Sequence, residues 1–240
     1  MTTAADPVAR PLLVAEYFGP TLQGEGSSTG KLALFIRLSR CNLSCPGCDT
    51  PYTWDWTRFN SRHESRRIAT NELRLWVMSQ PAKLVVITGG EPMLQQQALV
   101  PLVRSLVEDG RRIEIETNGT VIPGPELLDS VTQFNVSPKT ATFAGKKVAQ
   151  STRINPGALR VFTASGKAIF KFVVSHKEEL SEIARYEEEF DLTPLWVMPE
   201  GTTRETVLDR MPWLADEAVR RNWNLSTRLH ILLWGDQRGR

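Results

Sequence analysis

The sequence predicts an α/β fold on a mostly parallel sheet of six or seven strands, arranged as an open or partial β/α barrel in a single domain over residues 1–240. Three observations predict it. Strand-like runs alternate with helix-like stretches, a grammar that favours parallel strands joined by crossover helices. KLVVIT at 83–88 is continuously apolar and rich in β-branched residues, as a strand buried on both faces reads. The strands counted are too few to close an eight-fold barrel, so the sheet stays open.

Residues 1–15 read as a flexible N-terminal segment. KLALFIRLS at 31–39 alternates apolar and polar residues as a strand does. Thr70 suits the N-cap of an amphipathic helix that runs to about Ser79. After 83–88, GGEP opens a helix with Pro92 in its first turn, and Gly110 ends it. RRIEIET at 111–117, QFNVS at 133–137, AIFKFVVS at 168–175 and PLWVMP at 194–199 are further strands. Helices are expected at Pro125 to Ser130, at His176 to Glu189 and at Thr203 to Arg221, and RLHILLW at 228–234 as a closing strand. Residues 141–167 show weak periodicity and read as a long loop or insertion.

Apolar residues make up 41% and charged residues 23%, which excludes a disordered or collagen-like chain. A formal charge of +2 gives no argument for nucleic acid. The longest apolar runs fall far short of the ~20 residues of a membrane helix, and the opening residues lack a signal-peptide pattern. The expected location is therefore cytoplasmic, with neither nucleic acid nor membrane as a partner.

The three cysteines, Cys41, Cys45 and Cys48, form a CxxxCxxC string. An odd count within so short a span is no disulfide framework. A chain of this length needs no metal to be stable, so a metal here would serve function. Three thiolates on a [4Fe–4S] cluster leave one iron open to a small chelating ligand. Zinc completed by a remote His63, His176 or His230, or three incidental buried thiols, are the competing readings of the spacing.

CxxxCxxC in the loop after the first strand, with a GGE loop after the next, resembles the radical SAM superfamily. More narrowly, PTLQGEG (20–26), FIRLSRCNLSCPGCDTPYTW (35–54), TGGEP (88–92), ETNGT (116–120), NVSPK (135–139), FKFVVS (170–175), VMPEG (197–201) and RLHILLWGDQRGR (228–240) together resemble the 7-carboxy-7-deazaguanine synthase family, in order and from about residue 16 onward. The resemblance implies a partial barrel of the radical SAM type. It also implies a cluster on Cys41, Cys45 and Cys48 whose open iron chelates S-adenosylmethionine, reduced to give a 5′-deoxyadenosyl radical. That radical carries the chemistry, so no side chain is assigned as catalytic. The reaction implied is the ring contraction of 6-carboxy-5,6,7,8-tetrahydropterin, with loss of ammonia, on the route to queuosine and related deazapurines.

The resemblance further assigns residues. Leu22, Gln23, Gly24, Arg37 and Thr88 are implied to hold the pterin, with Glu25 accepting from its N–H donors. Arg37 sits four residues before Cys41, and a planar guanidinium fork suits a carboxylate. Gly90, Glu116, Ser137, Pro138 and Lys139 are implied to contact S-adenosylmethionine, Glu116 at the ribose hydroxyls, together with the segment Gly47, Cys48 and Asp49. Thr50 is implied to ligate Mg²⁺, with Asp49 reaching the metal's waters; a turn-capping hydroxyl is the plain alternative for Thr50, as a solvated loop lysine is for Lys139. Glu91 reads equally as a ligand or a loop-stabilising residue, and a dinucleotide site is disfavoured because GxGxxG is absent.

Many radical SAM proteins have an aromatic residue before the third cysteine, near the adenine, whereas this chain has Pro46 and Gly47. Tyr52 or the backbone of residues 198–201 are the candidates to replace it. TRFNSRHESRR at 57–67 holds Arg58, Arg62, Arg66 and Arg67. It reads as a solvated face, or as a docking surface for an acidic one-electron donor such as flavodoxin. A homodimer rests on the resemblance alone. The rival readings are a radical enzyme that activates a partner protein and a zinc-binding protein without catalysis.

Overall fold

The computed structural model describes residues 10–240. In chain order its strands are β1 (Leu12–Leu22), β2 (Leu32–Leu38), β3 (Arg66–Ile68), β4 (Leu84–Gly89), β5 (Arg112–Thr117), β6 (Gln133–Val136), β7 (Ala168–Val174), β8 (Leu195–Pro199) and β9 (Asn224–Leu225). They form one nine-stranded sheet in the order β3-β1-β2-β4-β5-β6-β7-β8-β9. β1 runs antiparallel to both neighbours, and every pairing from β2 to β9 is parallel. The sheet is open and mostly parallel, as expected, but has nine strands rather than six or seven.

The extra strands are legible in hindsight. β3 and β9 are three and two residues long, too short for a period to show. β1 contains Gly19 and Pro20, which read as a break, and its pairing with β2 absorbs them as an irregularity between Phe18 and Thr21. Its residues 12–15 are strand rather than flexible segment; residues 1–9 of that segment lie outside the described residues. The cysteine string accordingly follows the second strand of the chain.

The helices are α1 (Ser61–Glu64), α2 (Thr70–Met78), α3 (Gln96–Glu108), α4 (Pro125–Ser130), α5 (Ala141–Ala144), α6 (Gln150–Arg153), α7 (Pro156–Ala164), α8 (Glu179–Phe190), α9 (Arg204–Arg221) and α10 (Leu229–Trp234). Ala69, not Thr70, holds the N-cap position of α2 and makes no side-chain cap. A 3₁₀ turn, Pro92–Gln95, precedes α3, with Glu91 accepting the Met93 N–H as its cap. Residues 141–167 are mostly helical rather than a long loop. Thr140 caps α5 through Phe143 N, and Asn155 caps α7 through Gly157 N and Ala158 N with Pro156 at the first position. Four-residue helices carry too few turns to show a period. Residues 229–234 are helix rather than strand, because a short apolar run fits either form and β9 already occupies that edge of the sheet. Among the described residues no helix is long and apolar enough to cross a membrane.

The two-residue period of the strands sorts their side chains. Leu34, Ile36, Val85, Ile87, Ile113, Ile115, Phe134, Val136, Phe170 and Phe172 are fully buried in the core beneath the helices. The alternating positions on the other face include Arg37, Thr88, Glu114, Glu116, Asn135 and Lys171. Register pairs Arg37 with Thr88 and Glu116 with Asn135. A parallel strand usually reads as continuously apolar, so this row of polar side chains, buried at Thr88, Glu114, Asn135 and Lys171 and half-buried at Arg37 and Glu116, marks the face that lines the candidate site.

Candidate active site

The C-terminal ends of β2, β4, β5, β6, β7 and β8 open onto one cavity of about 440 Å³, within the range of small-molecule sites. Of the residues expected from the sequence, Leu22, Gln23, Gly24, Glu25, Arg37, Cys41, Cys45, Gly47, Cys48, Asp49, Thr50, Thr88, Gly90, Glu116, Ser137 and Lys139 all line it. Pro138 does not reach its wall.

One end of the cavity carries the thiols. Cys45 is buried with Leu43 and Ala144, and Cys41 and Cys48 pack against that cluster. Burial pushes the Cys41 thiol up to about 12. Leu43 N donates to Cys41 Sγ at 3.4 Å and Trp54 Nε1 to Cys48 Sγ at 3.4 Å. Among the described residues, no three His, Cys, Asp or Glu side chains close on a single metal ion. Three thiols on one cavity wall suit a larger inorganic cluster with one position open inward, and no fourth cysteine exists to close it. The donor set therefore fits a [4Fe–4S] cluster.

Around the thiols, two loops are locked together. A Cβ on Gly90 would lie 2.2 Å from the Arg40 carbonyl, and one on Gly89 2.2 Å from that of Leu38. The glycines let β4's end lie against the cysteine-bearing chain, with Gly90 N donating to Leu38 O at 3.1 Å and Glu91 N to Arg40 O at 2.8 Å. Glu91 has no exposed surface. It accepts from Met93 N at 2.9 Å, Thr117 Oγ1 at 2.8 Å and Asn118 N at 2.7 Å. Of its two readings, the loop-stabilising one is what the bonds describe.

The other end of the cavity is a charge network. Gln23 Nε2 and Thr88 Oγ1 donate to the two oxygens of Glu116, at 3.2 and 2.8 Å, so Glu116 joins the residues expected at the substrate. Glu25 pairs with Lys171 and, at 3.2 Å, with Arg228 Nε. Burial alone would raise the Glu25 carboxyl, but the Lys171 and Arg228 charges hold it well below the usual carboxylate range. Arg228 also donates to Asp49, and to Gly201 O at 2.7 Å. Arg37 Nε meets Glu16 Oε1 at 2.8 Å, and the same carboxylate accepts from Tyr52 Oη at 2.7 Å and Arg238 Nε at 2.8 Å. Burial opposes the Arg37 charge, and the surrounding anions more than restore it, raising the group above its ordinary value.

Sequence reasoning missed Glu16, Lys171, Arg228 and Phe143. Lys171 had a signal, a lone cation inside the apolar strand AIFKFVV. Glu16 lay in the unrecognised β1, and Arg228 at the start of a segment read as strand. Phe143 stands where the missing aromatic was sought: its ring lies 3.5 Å from the position of a Gly47 Cβ, and Lys139 Nζ sits 5.0 Å from the ring centroid. Lys139 also donates to Ser137 Oγ at 2.9 Å, so it is no free loop lysine. Tyr52 belongs instead to the Arg37 end, with Arg238 3.9 Å over its ring.

Residues 35–149 match the radical SAM superfamily. The chain is 34% identical to 7-carboxy-7-deazaguanine synthase of Hyperthermus butylicus, over 97% of this chain and 95% of the relative. It is 36% identical to the protein of that name in Pyrobaculum aerophilum, over 95% and 96%. It superposes on QueE from Escherichia coli with a TM-score of 0.69 at 26% identity, covering 92% of this chain and 95% of that one. A likeness to Streptococcus suis SuiB, TM-score 0.55 at 15% identity, shows the fold alone. Sequence relatives that span both chains almost end to end, on a thiol-lined cavity at the open mouth of a parallel sheet, place this protein in the 7-carboxy-7-deazaguanine synthase family of radical SAM proteins.

Proposed function

We propose that the chain, as one domain, contracts 6-carboxy-5,6,7,8-tetrahydropterin to 7-carboxy-7-deazaguanine with loss of ammonia. The observation that carries the reading is the division of a single cavity into a thiol end and a charged polar end, in a member of this family. Cys41, Cys45 and Cys48 would hold the cluster, which with S-adenosylmethionine and one electron from a reductant would supply a hydrogen-abstracting radical and take the hydrogen back at the end of the turnover. Gly47 to Asp49, Gly90, Ser137 and Lys139 hold S-adenosylmethionine, with the Phe143 ring beside Gly47 offering the adenine an aromatic surface; Pro138, off the cavity wall, only shapes the backbone between Ser137 and Lys139. Leu22, Gln23, Gly24, Glu25, Arg37 and Thr88 hold the pterin, joined by Glu116. Incubation of the reconstituted protein with S-adenosylmethionine, a reductant, Mg²⁺ and the pterin is expected to yield a product of the deazaguanine mass. Cleavage of S-adenosylmethionine with the pterin recovered unchanged would refute this reading.

Mg²⁺ takes few protein ligands and keeps several waters, and Thr50 offers one. It occupies the position before the 3₁₀ turn Pro51–Thr53, where its hydroxyl makes no capping bond and lies 3.7 Å from Cys48 Sγ, on the cavity wall. Thr50→Val is expected to keep the cluster and uncoupled cleavage of S-adenosylmethionine but to lose the magnesium stimulation of product formation. Wild-type magnesium dependence in that variant would leave Thr50 a turn residue.

The electron arrives from an acidic donor such as flavodoxin, and Arg58, Arg62, Arg66 and Arg67 are all exposed to meet it. Reversing the charges of Arg62, Arg66 and Arg67 is expected to slow flavodoxin-driven turnover while leaving dithionite-driven turnover unchanged. Equal loss with both reductants would rule the surface out. The working unit is a homodimer, and a single monomer mass in sedimentation at assay concentration would refute that.

A further inference from the structure

We propose that Trp54 tunes the reduction potential of the cluster by donating its indole N–H to the Cys48 sulfur. This rests on the cluster reading above and adds a residue to it. Trp54 Nε1 lies 3.4 Å from Cys48 Sγ. An indole nitrogen donates and never accepts, so the sulfur is the acceptor.

The contact is held in place by the backbone around it. Thr53 has no exposed surface. Its carbonyl accepts from Arg40 N at 2.6 Å, one residue before the first cysteine. Its N–H and hydroxyl donate to Thr50 O at 3.0 and 2.8 Å, two residues after the third. Trp54 N and Asp55 N then donate to Pro51 O at 3.1 and 2.8 Å. The turn is thus tied to both flanks of the cysteine string, and Trp54 faces the cavity. Other side-chain groups stand farther from the thiols: Thr50 Oγ1 is 3.7 Å from Cys48 Sγ and Asn118 Nδ2 is 4.0 Å from Cys41 Sγ. Reduction adds negative charge that spreads onto the ligand sulfurs. A donor aimed at one of them stabilises the reduced form more than the oxidised and raises the potential. Trp54 acts through Cys48 and is a positioning residue.

Trp54→Phe keeps an aromatic ring in the turn and deletes the donor. In an anaerobic potentiometric titration of the reconstituted full chain, followed by electron paramagnetic resonance, its midpoint is expected to move lower. At a fixed poise the reduced-to-oxidised ratio should fall about tenfold, which is 59 mV for a one-electron couple. Trp54→His, which restores a ring N–H, is expected to move the midpoint back toward the wild type. An unchanged midpoint in Trp54→Phe overturns the proposal. If that variant fails to hold iron, wild-type protein carrying ¹⁵N-indole tryptophan answers instead. Coupling of an indole nitrogen to the reduced cluster supports the assignment, and absence of coupling overturns it. Iron and sulfide analysis of the wild type keeps the two readings apart. A protein without a cluster refutes both, whereas a cluster-bearing protein with an unmoved midpoint refutes only the role of Trp54.

Discussion

Replacing Cys41, Cys45 or Cys48 by alanine is expected to abolish both iron retention and cleavage of S-adenosylmethionine. Three thiolates are the whole protein ligand set, so one deletion leaves a cluster two anchors and a second iron open to solvent. No further cysteine exists to substitute, and the carboxylates nearest the thiols are engaged elsewhere, Asp49 with Arg228 and Glu91 with Met93 N, Thr117 and Asn118 N. Cys41 and Cys48 are only partly buried, and their alanine variants should therefore keep the circular dichroism of the wild type. Cys45 is buried beside Leu43 and Ala144, so its loss adds a small packing cost. The readouts are iron per chain after reconstitution and 5′-deoxyadenosine formed. Full activity in any of the three variants would remove the cluster from these residues.

Arg37→Ala is expected to weaken pterin binding by roughly 10 to 150 fold while leaving the cluster intact, the loss of about 1.5 to 3 kcal/mol for a charge-assisted pair. Glu16 engages Nε of Arg37, and a substrate carboxylate would be met by the two terminal nitrogens of the fork. The substitution does not strand Glu16, because Tyr52 and Arg238 still donate to it. Affinity can therefore fall without the fold failing. Arg37→Lys keeps the charge but not the planar fork and should lie between the two. Equilibrium binding of the pterin to the reconstituted protein decides, and an unchanged dissociation constant would show that Arg37 serves only to hold Glu16.

What could be read from the sequence was local. Alternation and β-branched runs located β2 and β4 to β8 within a residue or two, because each is long enough for its period to show. The cysteine string and the residues beside it were legible for the same reason, being neighbours along the chain. The parts that escaped depend on distance. Lys171 meets Glu25 across 146 positions and Arg228 meets it across 203, and no pattern in either segment announces the other. Phe143 likewise reaches Gly47 from α5, four residues long and too short to show a period. Residues 228–234 misled because an apolar run of that length suits helix and strand alike.

Arg228 joins Glu25, Asp49 and the Gly201 carbonyl, and this has a consequence for the order in which the pocket comes into being. Synthesis delivers the β strands first, each settling beside one already made. Until position 228 has emerged and turned back, however, Glu25 has only Lys171 to answer its charge, and Asp49 lacks the guanidinium that donates to it directly. The ends that must meet are nearly the whole chain apart, a closure that is slow because of its span. The thiol end, whose loops interlock within residues 38–118 and are covered by Phe143 and Ala144, draws on earlier parts of the chain. The substrate end is set late. The charge network of the pocket is therefore complete only when residues near the end of the chain have folded back onto the loop that follows β1.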